Sequence, residues 1–236
     1  MEDELSELHQ LLRIAKVPAN LPLKLAGSID QNEDINPNEY EEVKKTLIES
    51  TNSIVKHTLE KIRSLEAKTI LTYGWSPVVE QILLKLSENE IADLHIKIVD
   101  GVINGPGKKL AKQLIERGVQ CTYGLLNCVA NELPHTHLVL LGANAVWSNG
   151  SLLVARGSAS VAHLAQAFNV PVLVTVKAHQ FIDKVYTIES LTSIPDADSF
   201  EIISSELISG LATDIRILPP TSAPAVLKAK TLSDKQ

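Results

Sequence analysis

From Ala67 onward, short aliphatic runs rich in leucine and β-branched residues alternate with stretches of helical periodicity. Strands this apolar must be buried on both faces, and the helices between them supply the cover. The pattern therefore predicts an α/β fold, a Rossmann-like doubly wound parallel sheet. Strands are expected at Thr69–Tyr73, His95–Val99, Gln120–Tyr123, Leu138–Leu141 and Val172–Val176, with helices at Pro77–Ser87, Lys108–Gly118 and Ser158–Phe168. A later helix near Ser204–Leu211 and a last strand at Ala225–Ala229 complete the expected layout. A hydrophobic share of 44% with only 4% aromatics fits such a core, which is built from aliphatic side chains.

Ahead of this unit the pattern is helical. Residues 3–16 place Leu5, Leu8, Leu11, Leu12 and Ile14 near one face, and Pro18 ends the period. The polar run at 22–37 reads as a loop. Asn38, with Glu41 three residues on, can form a capping box for a long amphipathic helix from Tyr40 to Leu65. The expected organisation is a short helical N-terminal domain over 1–66 and the α/β domain over 67–236.

A formal charge of −6 gives no general attraction to phosphate backbones or anionic lipid, so a protein partner is expected and direct nucleic-acid or membrane binding is not. Acidic Glu2, Asp3 and Glu4 after Met1 do not open a secretory signal, and no apolar run reaches the roughly 18 residues of a membrane span. A cytoplasmic location is expected. Cys121 and Cys128 are too few for a disulfide framework, lack CxxC spacing, and read as small core residues.

GVINGPGKKL at 101–110 has the setting of a phosphate loop, between a strand and a helix, but not its spacing. Five residues separate Gly101 from Gly107 where that loop has four, and Lys108 is followed by Lys109 instead of a magnesium-binding Ser or Thr. It reads as a plain strand-to-helix turn. Ser158, after Gly157, is either an ordinary N-cap or part of an anion site made with free backbone amides. His135 and His137 stand without a partner at ligand spacing and read as solvated loop residues, so neither metal nor cofactor is expected.

The run LVLLGANAVWSNGSLLVARGSASVAHLAQAFNVPVLVTVKAHQF, residues 138–181, resembles the superfamily of the initiation factor 2B alpha, beta and delta subunits. Methylthioribose-1-phosphate and ribose-1,5-bisphosphate isomerases belong to the same superfamily. Its GAD, NG and GT elements read here as Gly142-Ala143-Asn144, Asn149-Gly150 and Gly157-Ser158. Further matches are ILTYGWS at 70–76, Asp100 at a strand end, LAKQL at 110–114 and ILPPTSAPAVL at 217–227, whose Pro219-Pro220-Thr221-Ser222 is most similar to the delta branch.

The resemblance implies an isomerase-like fold without the chemistry. Moving protons or a hydride between adjacent sugar carbons needs a positioned acid and base. In the isomerases these are a cysteine after the first strand and the aspartate of GAD; the matching positions here are Gly74 and Asn144. Val102 stands where the isomerases have an arginine, and Val154 and Ala155 replace the polar and basic pair before the phosphate-binding Gly-Thr, with Arg156 one position away. No catalytic residue is assigned. The implied role is a non-catalytic regulatory subunit in the complex that exchanges guanine nucleotide on initiation factor 2, with the beta, alpha, gamma and epsilon subunits and that factor as partners. The alternative is a sugar-phosphate or nucleotide-monophosphate binding protein, its vestigial pocket at Gly74, Asn144, Asn149, Gly157 and Ser158 still taking the ligand, or an isomerase of the same superfamily.

Trp147 sits in an expected loop with Val146, Leu152, Leu153 and Val154. So much apolar surface at the carboxyl end of a sheet points either to an interface carried by Trp147 and Leu152 or to side chains folded inward to cap the sheet.

Overall fold

The computed structural model describes residues 37–88, 94–183 and 197–233. The helix expected at 3–16 and nearly all of the loop expected at 22–37 lie outside them. Helix α1 (Pro37–Ser64) leads into β1 (Thr69–Tyr73), α2 (Pro77–Glu88), β2 (His95–Asp100), α3 (Gly107–Glu116) and β3 (Gln120–Leu125). A short helical stretch containing α4 (Val129–Glu132) precedes β4 (Leu138–Gly142), β5 (Ala145–Trp147), β6 (Leu152–Ala155) and α5 (Ser158–Ala167). The chain continues through β7 (Val172–Thr175), β8 (Phe181–Ile182), β9 (Phe200–Ile203), β10 (Gly210–Ala212), β11 (Ile217–Leu218) and α6 (Ala223–Ser233).

The main sheet has the order β11-β10-β7-β4-β1-β2-β3, parallel from β10 to β3 and closed by antiparallel β11. The period of two divides each central strand between two cores. Ile70, Leu138, Leu140 and Leu173 face a layer formed by α1, α2 and α3, where they meet Ile54, Ile62, Ile82, Leu83 and Leu110. Leu71, Val139, Leu141, Val172 and Val174 face the other side, under Val161, Ala162 and Ala165 of α5. This is the doubly wound arrangement that the aliphatic runs predict, and α1 shares its core with the sheet.

Lys97, 3% exposed on β2, is held by Glu132 of α4 through an ion pair of 3.0 Å and a bond to the Glu132 carbonyl of 2.8 Å. A buried ammonium needs such partners.

Three expectations are corrected. Ser204–Leu211 is not a helix: one 3-10 turn, Ser205–Leu207, gives way to β10, whose Gly210 and Leu211 are buried between β7 and β11. Ala225–Ala229 is not a strand but part of α6, which Pro219 and Pro220 precede and whose alanines favour helix. The greasy segment after β4 is not a loop. It forms the β5–β6 hairpin, which builds a second sheet of order β8-β5-β6-β9.

That sheet gives Trp147 and Leu152 their places. Trp147, 1% exposed, packs with Ala145, Leu153 and Ile182 on one face, while Leu152 and Val154 point into the core beneath α5. Alternation along β5 and β6 directs them to opposite faces, and neither offers the surface expected of an interface residue. Trp147→Ala should therefore lower stability by about 3 to 5 kcal/mol, measured by urea denaturation, because it empties a filled site.

The cysteines also part company. Cys121 is half-buried against the core, and burial pushes its thiol up to about 11, whereas Cys128 is exposed. A thiol titrating that high carries almost no thiolate at neutral or mildly alkaline pH. Mild alkylation with iodoacetamide near pH 8 should label Cys128 well before Cys121 in a peptide-mass time course, and Cys121 should react appreciably only as the pH approaches its raised value.

Candidate functional site

Connections from β1 run outward through β2 to β3, and those from β4 run the other way through β7 to β10, so the order reverses between β1 and β4. The carboxyl ends of strands at such a reversal flank the crevice where α/β folds bind ligands. Gly74 follows β1, Ala143 and Asn144 follow β4, and Gly157 and Ser158 open α5.

What fills this crevice comes from the chain itself. The Tyr73 hydroxyl donates to the Arg156 carbonyl at 2.7 Å, and a Cβ on Gly157 or on Gly101 would fall on that hydroxyl. The ring therefore crosses from β1 to the start of α5, and Gly157, at φ 104°, is the residue that tolerates both the contact and the backbone. Burial pushes the phenol pKa up, and the Glu201 and Asp100 carboxylates push it further in the same direction, so Tyr73 remains a protonated donor at neutral pH. Ser76 packs against Gly142, where a Cβ would come within 2.5 Å of its Oγ.

The start of α5 is occupied as well. Glu201, on β9, accepts from the Gly157 amide at 2.8 Å and the Ala159 amide at 2.7 Å through a single oxygen, Oε1. A carboxylate at a helix N-terminus gains from the unpaired amides and from the dipole, as a phosphate would. Ser158 is buried and makes no capping bond; Gly157 is the N-cap residue, and Glu201 supplies the acceptor from another strand. The ordinary N-cap reading of Ser158 is thereby corrected. Arg156, which stood near the lost phosphate-side pair, directs its guanidinium to Asp198.

The glycine-rich loop after β2 repeats the arrangement. Buried Asp100 accepts from the Gly107 amide at 3.1 Å and from the Tyr123 hydroxyl at 2.7 Å, and a Cβ on Gly105 would collide with its carboxyl group. The glycines wrap an internal carboxylate, in keeping with a strand-to-helix turn.

The remaining expected pocket residues are spread around this centre. Gly74 adopts φ 64° and donates to the Val99 carbonyl at 2.7 Å. Asn144 is stitched in by its backbone, which donates to Leu153 at 2.8 Å and accepts from Gln180 Nε2 at 3.3 Å. Asn149 belongs to the hairpin turn, where its Oδ1 accepts from Ser151 at 3.0 Å. Of the two loop histidines, His137 is anchored, its Nδ1 accepting from the Thr69 amide at 3.1 Å. Sequence reading missed Tyr73, Gln180 and Glu201 as site residues. Tyr73 lies in a quoted motif, but Glu201 sits 44 positions from Gly157 on an unexpected strand, with no local signal.

The Initiation factor 2 subunit family matches residues 9–220 of this chain. Translation initiation factor eIF2B subunit delta of Dictyostelium discoideum is 29% identical over 208 residues, covering 75% of this chain and 33% of that protein. The chain thus spans about a third of that relative's length. The ribose 1,5-bisphosphate isomerase of Methanocaldococcus jannaschii is 21% identical, covering 78% of this chain and 68% of the isomerase. Among solved structures, the tetrameric eIF2B-beta2-delta2 complex from C. thermophilum superposes with a TM-score of 0.65 at 19% identity, covering 80% of this chain and 63% of the other, a likeness of fold.

Glu201→Ala should cost about 1 to 2 kcal/mol in urea denaturation, since it strips the acceptor from two amides at a helix start. Gly157→Ala should cost more, and Tyr73→Phe should not rescue it. The ring carbon bearing the hydroxyl remains in the way, and the backbone at φ 104° still disfavours a side chain.

Proposed function

Because the chain belongs to the Initiation factor 2 subunit family, we propose that it is a non-catalytic, delta-type regulatory subunit of the complex that exchanges guanine nucleotide on translation initiation factor 2. The observation that carries the non-catalytic part is Glu201, whose carboxylate holds the two amides at the start of α5 where a substrate phosphate would be received. Gly74 and Asn144 support it: one has no side chain, and the other carries a neutral amide that cannot act as a carboxylate base. The Dictyostelium delta relative supports the subunit type.

In this reading the α/β domain serves assembly. Its partners are the beta subunit, paired directly, then the alpha, gamma and epsilon subunits, and initiation factor 2 itself, all in the cytoplasm. Among the described residues no helix is long and apolar enough to cross a membrane.

Affinity purification of the tagged chain at native expression should bring down the beta, gamma and epsilon subunits; their absence would overturn the subunit assignment. A separate measurement addresses the isomerase relative. Ribose 1,5-bisphosphate and methylthioribose 1-phosphate should give no turnover and no rise in melting temperature, because a ligand stabilises a fold only by binding it. Turnover by the unmodified chain would overturn the non-catalytic reading and leave the partners to be tested independently.

A further inference from the structure

A second concavity lies outside the crevice, between α1 and α2, with a volume of about 660 Å³. Its lining on α1 runs from Asn52 to Arg63 at spacings of three and four, a stripe roughly 16 Å long at the 1.5 Å rise of a helix. The floor is apolar: Leu59 is buried, while Val55 and Leu84 are only half-buried although both pack on the core below. The rim is basic. Lys56 and Arg63 from α1 and Arg117 from the end of α3 are exposed, and no ion pair engages these three side chains among the described residues; Lys85 adds a fourth cation and Glu60 the single acid of the lining.

This local excess of cations runs against the −6 of the whole chain. Lys56, Arg63 and Arg117, gathered around an apolar strip that is only half-covered among the described residues, repel one another. They become favourable when an anionic partner brings apolar side chains to the strip and carboxylates to the rim. A groove about three turns long between two helices accepts a helix with anchors at i, i+3 or i+4, and i+7.

We propose that the α1–α2 groove is a docking surface for an acidic amphipathic helix of a partner protein, with its apolar face on Val55, Leu59 and Leu84 and its carboxylates against Lys56, Arg63 and Arg117. A nucleic acid would use the cations but leave the apolar strip unmatched, and the chain's net negative charge disfavours it.

The test uses the full chain and two fluorescein-labelled, end-capped synthetic peptides with the same leucine spacing, one carrying glutamates on its polar face and the other lysines. Fluorescence anisotropy at low salt should show at least about tenfold tighter binding of the glutamate peptide, weakening as salt rises. Hydrogen exchange on the unmodified chain should show protection confined to α1 and α2. Lys56→Glu combined with Arg117→Glu, both exposed and checked for an unchanged melting temperature, should abolish or reverse the preference. The proposal is overturned if the two peptides bind equally, if protection appears elsewhere, or if a single-stranded RNA oligonucleotide binds the groove more tightly than the glutamate peptide.

Discussion

The bond between the Glu201 carboxylate and the amides of Gly157 and Ala159 ties together the parts of this molecule that are otherwise separate. β9 pairs with β6 in a register that sets Glu201 opposite Val154, and β6 pairs with β5 in the hairpin that buries Trp147. The small sheet is therefore fixed to the helix that covers the large one. The same contact sets the start of α5 against Tyr73, whose hydroxyl reaches the carbonyl just before Gly157. Small sheet, helix and crevice meet at one carboxylate.

The crevice consequently has the outline of a phosphate site and the contents of a structural joint. Two features that receive anions in α/β proteins, a glycine-rich turn after a strand and the first amides of a helix, are present and filled by Asp100 and Glu201. Each internal carboxylate is delivered by its own strand at no translational cost. An incoming phosphate would have to displace it, bear the repulsion between like charges and leave a carboxylate short of donors. Charge-assisted bonds to amides are among the stronger hydrogen bonds. An arrangement suited to binding a transient ligand serves here to hold a fixed geometry.

Much of this was legible from the residues. The continuous aliphatic runs in Thr69–Tyr73, Leu138–Gly142 and Val172–Thr175 and the helical periods between them were strong signals because both faces of the main sheet are buried. The second sheet was not legible, since its strands are two to four residues long and the pairings that extend the hairpin, β5 with β8 and β6 with β9, join segments far apart in sequence. Trp147 was misplaced for that reason: an indole among aliphatics reads as surface only while the segment is taken for a loop. The tail failed through propensity. LISGLA carries an apolar spacing that a helix or a strand can use, and burial between neighbouring strands decided it. The family resemblance pointed to Gly74, Asn144 and Gly157 but not to Tyr73 and Glu201, whose bonds at the start of α5 join segments far apart in sequence.

On the proposed non-catalytic reading, the distance from an isomerase exceeds two substitutions. A cysteine at Gly74 would find open space but would have to hold φ 64°, which costs an L-residue about 1 to 2 kcal/mol. An aspartate at Asn144 would supply a carboxylate on a backbone already fixed by Leu153 and Gln180. Neither change removes Glu201 from the α5 amides or the Tyr73 ring from the face of Gly157. The substrate phosphate would still lack a seat, and without it the reacting carbons have nothing to position them. Because positioning accounts for roughly 7 kcal/mol or more of a catalysed barrier, the acid and the base are the smaller part of what is missing. The larger part is space, and the fold has used that space to join its two sheets.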